Sequence, residues 1–85
     1  MPEISRFLGI VVGMFYSEHG VAHFHAVYGE HEISVELESG TIHGEFPARA
    51  LRLVLEWANL HKLELIENWE LARQGQPVKR IAPLE

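Results

Sequence analysis

The residues from 32 to 38 alternate strictly between polar and apolar side chains, and this pattern restricts the fold more than any other. The apolar positions are Ile33, Val35 and Leu37, and the intervening polar positions are Glu32, Ser34, Glu36 and Glu38. Successive side chains of a strand point to opposite faces, so the alternation predicts a strand with one buried and one solvated face. Such half-buried strands are typical of antiparallel sheets.

Two turn signals flank this strand and set its predicted partners. A two-residue turn at Gly29-Glu30 would pair residues 23–28 with the alternating strand, placing Phe24 opposite Val35 and His23 opposite Glu36. A second two-residue turn at Ser39-Gly40 would begin a short strand at residues 41–43 and place His43 opposite Glu36. The β-branched and aromatic run at residues 10–16 predicts a further strand before these three.

The pattern changes to helical spacing after Pro47, a residue favoured at the first position of a helix. This spacing runs from Pro47 to Gln74, and residues 59–62 are the expected break between two helices, with one bent helix as the alternative. His61 and Glu64 are expected to brace that junction, and Gly75 fits the position after a helix end. Residues 1–76 are expected to form one domain, and residues 77–85 a tail that is either frayed or docked on a partner.

These elements predict an α+β fold. We expect an antiparallel three- to four-stranded β-meander followed by two α-helices packed on one face of the sheet. The face that receives the helices carries Phe24, Ile33, Val35 and Leu37. Trp57 and Trp69 lie at helical spacing and are expected to anchor the core. The alternative is a surface on which bases stack, formed by these two residues with Phe15, Tyr16, Phe24 and Tyr28.

Composition narrows the classes of function. The net charge is −5, which disfavours RNA as a partner because a nucleic-acid binder displaces counterions with a basic surface. The chain has no cysteine, so thiolate catalysis and cysteine-based zinc sites are excluded. The apolar run at residues 7–16 is too short to span a membrane, so we expect a cytoplasmic protein without a membrane partner.

Three histidines fall within seven residues, at His19, His23 and His25. Alternation places His23 and His25 on the polar face of the sheet, and the two turns bring Glu36 and His43 beside them. His23, His25, Glu36 and His43 are therefore the candidate catalytic residues for acid–base chemistry. His19, His23 and His25 are the candidate ligands of a divalent metal. A solvated sheet face without function is the third interpretation.

The chain also resembles a small prokaryotic family, the domain-of-unknown-function family 4160. The motifs that carry the resemblance are MPEISRF at residues 1–7, AHFHA at 22–26, YGE at 28–30, and EW, HK, EL and ENWEL within residues 56–71. The chain departs from the family's usual Pro-His-Phe-His-Ala box at Ala22, where a proline is usual, so the entry into the strand is less rigid.

The resemblance implies a partner rather than an activity. Members of the family are often encoded beside another small family of unknown function, numbered 2442, in an arrangement similar to a toxin–antitoxin module. The expected function is thus a protein-interaction component of such a two-gene module, with a small protein partner encoded nearby, a homodimer, or both. The alternatives are a small histidine-dependent hydrolase similar to a ribonuclease and a divalent-metal-binding protein, and the sequence does not decide whether the chain is an enzyme.

Overall fold

The computed structural model describes residues 2–16 and 20–85 and has an α+β architecture of one sheet and two helices. The strands are β1 (Glu3–Phe7), β2 (Ile10–Gly13), β3 (His23–Tyr28), β4 (His31–Glu36) and β5 (Ile42–Gly44). They form one antiparallel sheet in the order β1-β2-β3-β4-β5, followed by α1 (Ala48–Leu60) and α2 (Lys62–Arg73). The predicted class is confirmed, and the sheet has five strands rather than three to four.

The additional strand is β1, which pairs with β2 across a two-residue turn at Leu8-Gly9. Phe7 pairs with Ile10, and both turn residues have positive φ, 51° at Leu8 and 83° at Gly9. Two positive φ values define a type I′ turn, which asparagine or glycine usually fills at its first position. A leucine there gives no turn signal, which explains why the sequence did not reveal β1. The strand expected at residues 10–16 ends at Gly13.

The hairpin of β3 and β4 has the predicted register throughout. His23 pairs with Glu36, Phe24 with Val35, and Tyr28 with His31. Gly29 has a φ of 60°, whereas Glu30 has a negative φ, as a type II′ turn requires. The two-residue turn and the hydrophobic alternation therefore specify the same register.

The predicted register between β4 and β5 is wrong by two residues. Ser34 rather than Glu36 is the direct partner of His43, because the connection contains four residues, 37–40, instead of two. The Glu36 N–H donates to the Thr41 carbonyl at 2.9 Å, and the Gly40 N–H donates back to the Glu36 carbonyl at 3.0 Å. A shift of two residues keeps every side chain on its predicted face.

The core lies between the sheet and α1. Trp57 of α1 is fully buried, and its ring lies 5.6 Å from that of Phe7 and 5.8 Å from that of Phe24. The four residues expected to receive the helices, Phe24, Ile33, Val35 and Leu37, are all buried there. Trp57 is therefore the core anchor that helical spacing predicted.

The helical region divides into two helices, as predicted, and the break lies at His61. Pro47 caps α1 instead of being its first residue, so the helix begins one residue later than expected. His61 has a non-helical φ of −116°, and its Nδ1 contacts Glu64 Oε1 at 2.6 Å. Gly75 follows the α2 cap, Gln74, as expected.

The C-terminal segment packs on its own chain beside β1. The Ile81 N–H donates to the Ile4 carbonyl at 2.7 Å, and Ile81 is buried. Arg80 also binds Glu3 at 2.7 Å. Together with Arg6 it lowers the pKa of the Glu3 carboxyl to about 2, with the Arg6 hydrogen bond as the larger cause. The segment thus occupies the side of β1 that β2 leaves free.

Candidate functional site

Three of the candidate catalytic residues meet in one cleft on the sheet face opposite α1. The cleft has a volume of about 240 Å³ and is lined by Gly20, Val21, His23, Ser34, Glu36 and His43. The alternation of β3 and β4 and the even register shift of β5 place these polar side chains on the same face. His25, the fourth candidate, lies outside the cleft lining.

Glu36 and His43 form a hydrogen-bonded pair within this cleft. His43 Nε2 lies 2.7 Å from Glu36 Oε2, and the Ser39 hydroxyl donates to Glu36 Oε1 at 3.0 Å. These two hydrogen bonds, that of His43 first, hold the pKa of the Glu36 carboxyl below its usual value. Glu36 therefore stays ionised near neutral pH and orients the His43 imidazole, as a carboxylate does in a histidine–carboxylate dyad.

His23 presents a defined tautomer to the same cleft. Its Nδ1 lies 2.8 Å from the Val21 carbonyl oxygen. A carbonyl only accepts, so Nδ1 carries the proton, and Nε2 of the neutral ring keeps its lone pair. His23 and His43 thus bring two imidazoles, each held by a second group, to one cleft.

His25 has a different environment, since its ring is covered by Phe15. The two rings are parallel within 6°, with centroids 5.1 Å apart. The Nδ1 atom is 3.6 Å from Glu32 Oε2, and the buried Nε2 has no hydrogen-bond partner in the described part of the chain. Burial, and next the proximity of His23, lower the pKa of His25, although Glu32 opposes the shift. The charged form of His25 is consequently disfavoured, and its ring packs against Phe15.

His23 and His25 belong to a connected set of aromatic side chains, a membership that the sequence did not predict for the two histidines. Ring centroids lie 5.0 Å apart for His23 and His25, 5.4 Å for His23 and Trp69, and 5.5 Å for Trp69 and Tyr16. With Phe15 on His25, we call these five residues the aromatic cluster. Trp69 is only partly buried, so it serves this cluster rather than the centre of the core. The sequence signal for this cluster was the set of aromatic residues that includes Phe15, Tyr16 and Trp69.

The comparison with known families identifies the chain. Residues 9–70 match the family described as Domain of unknown function, DUF4160. The chain belongs to the DUF4160 family. No curated protein and no solved structure matches it.

The DUF4160 match covers the whole candidate site. All five members of the aromatic cluster and the cleft residues His23, Ser34, Glu36 and His43 lie within residues 9–70. Strand β1 and the C-terminal segment lie outside the match. The resemblance drawn from the sequence motifs is thereby confirmed for the part of the chain that contains the site.

The predicted metal set of His19, His23 and His25 stays a prediction, because it extends beyond the described residues. His19 lies outside them, and residues 2–16 and 20–85 contain no group of three or more histidine, aspartate or glutamate side chains suited to hold a metal ion. Within the same two ranges, neither helix is long and apolar enough to cross a membrane.

Proposed function

We propose that this DUF4160 protein is the protein-interaction component of a two-gene, toxin–antitoxin-like module, and that it binds a small protein encoded beside it. The observation that carries the proposal is the aromatic cluster, because two of its rings remain exposed on a folded domain. Phe15 is 44% exposed and Tyr16 is 38% exposed. Aromatic side chains of this kind are enriched at the centres of protein interfaces.

The apolar surface continues from the aromatic cluster onto α2. Ile66, one turn before Trp69, is 47% exposed, and Leu63 is 82% exposed. Burying such side chains against a partner is favourable by about 25 cal/mol per Å² of apolar area. The net charge of −5 favours a protein partner over nucleic acid. The family resemblance supplies the expected partner, the product of the neighbouring gene, and a homodimer is the competing assembly.

Co-purification tests the proposal directly. The protein would be co-expressed with the product of the adjacent gene, and the complex measured by size-exclusion chromatography with light scattering. We expect a stable complex that the Phe15→Ala and Tyr16→Ala variants weaken by at least about tenfold. Leu8→Asn is the matched control, since it removes an exposed apolar side chain at the opposite end of the sheet. A monodisperse monomer that does not bind the product of the adjacent gene would refute the proposed function.

The cleft supports a second candidate function, phosphodiester cleavage in the manner of a small ribonuclease. In that reaction His23 Nε2 would accept the proton of a 2′-hydroxyl, whose oxygen attacks phosphorus. As the bond from phosphorus to the 5′-oxygen breaks, protonated His43, oriented by Glu36, would donate a proton to the leaving oxygen. The supporting observation is that both imidazoles line one cleft, each held by a hydrogen bond.

Expression in growing cells distinguishes this candidate from the first. The hydrolase predicts growth arrest and RNA degradation, and His23→Ala and His43→Ala should abolish both effects. His31→Ala is the matched control, because His31 is exposed at the β3–β4 turn, away from the cleft. Equal toxicity in the two cleft variants would rule out the catalytic assignment while leaving the binding function intact.

A further inference from the structure

Two further clefts lie on the sheet face that carries Phe24, next to the junction between α1 and α2. One, of about 200 Å³, lies between α1 and the β4–β5 connection; the other, of about 300 Å³, lies between α2 and the start of β3. Both are lined by Leu37, Glu38 and Lys62. They therefore adjoin each other at the α1–α2 junction, and we call the two together the hinge groove.

Both parts of the hinge groove have apolar side chains in their lining. Leu55 and Ala58 of α1 line the first part, and Ile66 and Trp69 of α2 line the second. Leu63 adds an exposed apolar side chain one turn before Ile66. A lining that spans two helices offers several anchor positions to one ligand segment, which a single small pocket does not.

The charges around the hinge groove are mainly acidic. Glu38 and Glu70 line it together with the cation Lys62, whereas the carboxylate of Glu36 lies on the other sheet face with His43. Glu70 is bound by Arg73, but Glu38 forms no salt bridge among the described residues. The Glu38 carboxylate and the net charge of −5 on the chain make this rim complementary to a partner that carries lysine or arginine.

The backbone at the groove edge is already hydrogen-bonded, which determines the kind of segment that fits. The Leu37 N–H donates to the Ala22 carbonyl at 2.9 Å, and the Glu36 N–H donates to the Thr41 carbonyl at 2.9 Å. An added strand would find few free backbone groups at this position. A helix satisfies its own backbone and binds through side chains alone, so it suits a groove lined by side chains.

We infer that the hinge groove binds an amphipathic helix with a basic flank, supplied by the partner in the protein-interaction function proposed above. The apolar stripe of that helix packs on Leu55, Ile66 and Trp69. Its lysine or arginine side chains lie beside Glu38. The aromatic cluster adjoins the groove through Trp69, so both surfaces belong to one interface.

Peptide binding provides the first test. A fluorescein-labelled peptide of about 18 residues, with leucine at helical spacing and lysine on both flanks, spans about 27 Å as a helix. Its matched control keeps the leucines and replaces every lysine with glutamate. Fluorescence anisotropy on the full chain should show binding of the basic peptide and at least about tenfold weaker binding of the acidic one. Equal affinity for both peptides would overturn the inference.

Paired variants locate the binding. Ile66→Asp and Glu38→Lys should each weaken the basic peptide at least about fivefold. Glu30→Lys makes the same charge change at the exposed β3–β4 turn and should alter the affinity less than about twofold. Urea unfolding verifies that the variants are folded. Equal losses for Glu38→Lys and Glu30→Lys would mean that net charge alone attracts the peptide, which refutes the groove.

Binding of the protein encoded by the adjacent gene distinguishes failure of the groove from failure of the proposed function. If it binds the wild-type chain and the two groove variants equally, the module function stands and the groove is wrong. If it never binds while the basic peptide does, the groove stands and the module function fails. If sedimentation shows a dimer that Ile66→Asp makes monomeric, a second copy occupies the groove and the basic helix is refuted.

Discussion

Glu36 binds His43 at 2.7 Å although the two residues lie diagonally across β4 and β5 rather than opposite each other. The direct partner of His43 is Ser34, yet the imidazole reaches the carboxylate of Glu36, two residues further along β4. Diagonal neighbours on one face of a sheet are within reach of long side chains. The predicted contact therefore exists even though the register from which it was predicted is wrong.

The turn at Leu8 stores strain that one substitution should release. Leu8 has a φ of 51°, a conformation that costs a branched L-residue about 1–2 kcal/mol and suits asparagine. Leu8→Asn should therefore raise the free energy of unfolding by about 1 kcal/mol, as measured by urea denaturation. Leu8→Val should lower it, because β-branching disfavours this conformation further. A less stable Leu8→Asn protein would show that the side chain makes a stabilising contact instead.

Gly44 determines whether β5 can approach β4. Its φ is 106°, and a Cβ atom there would lie 2.5 Å from the Glu32 carbonyl oxygen. Gly44→Ala should cost about 2 kcal/mol or more and displace His43 from Glu36. Gly40→Ala, with a φ of 76° and open space around its Cβ, should cost about 1 kcal/mol and leave that pair in place. Urea unfolding measures both costs, and the histidine NMR signals report the pair.

Asn68 fastens the C-terminal segment to α2. Its Nδ2 donates to the Lys79 carbonyl and its Oδ1 accepts from the Lys79 N–H, both at 2.8 Å. Asn68→Ala leaves two backbone groups unpaired and should cost about 2 kcal/mol. Amide hydrogen exchange at Lys79 and Ile81 should be faster in this variant than in the wild-type protein. Asn59→Ala, an exposed position on α1, serves as the control and should change neither quantity appreciably.

His25 should make the protein less stable in mild acid. Its pKa in the folded state lies below the ordinary value of 6.5, mainly because the ring is partly buried. Below about pH 6.5 the unfolded chain binds a proton that the folded chain does not, so unfolding becomes easier as the pH falls through that range. The contribution of His25 to stability is complete above that pH.

Replacing the ring isolates this contribution. His25→Leu should flatten the decrease in the urea midpoint between about pH 8 and about pH 5.5, whereas His31→Leu, at an exposed position, should not. An unchanged pH profile in His25→Leu would contradict the conclusion that partial burial of the imidazole lowers its pKa.

The hairpin of β3 and β4 shows what can be predicted from sequence. Alternation at residues 32–38 and the Gly29-Glu30 turn are local signals that agree, and together they place His23 opposite Glu36. The break at His61 was likewise predicted from a local signal, because the helical spacing of apolar residues is interrupted near this position. Strand β1 could not be found in this way, because Leu8 occupies a turn position that its side chain disfavours.

The sequence by itself determined the α+β class, the face on which each histidine lies, and the buried positions of Phe24, Ile33, Val35 and Trp57. These follow from periodicity, which depends on backbone geometry and the burial of apolar surface. Only the tertiary structure decided that Phe15 and Trp69 enclose His25 and His23, and that His25 lies outside the cleft lined by His23, Glu36 and His43. These residues are distant in sequence, and packing brings them together through turn lengths and a helix junction that periodicity does not specify.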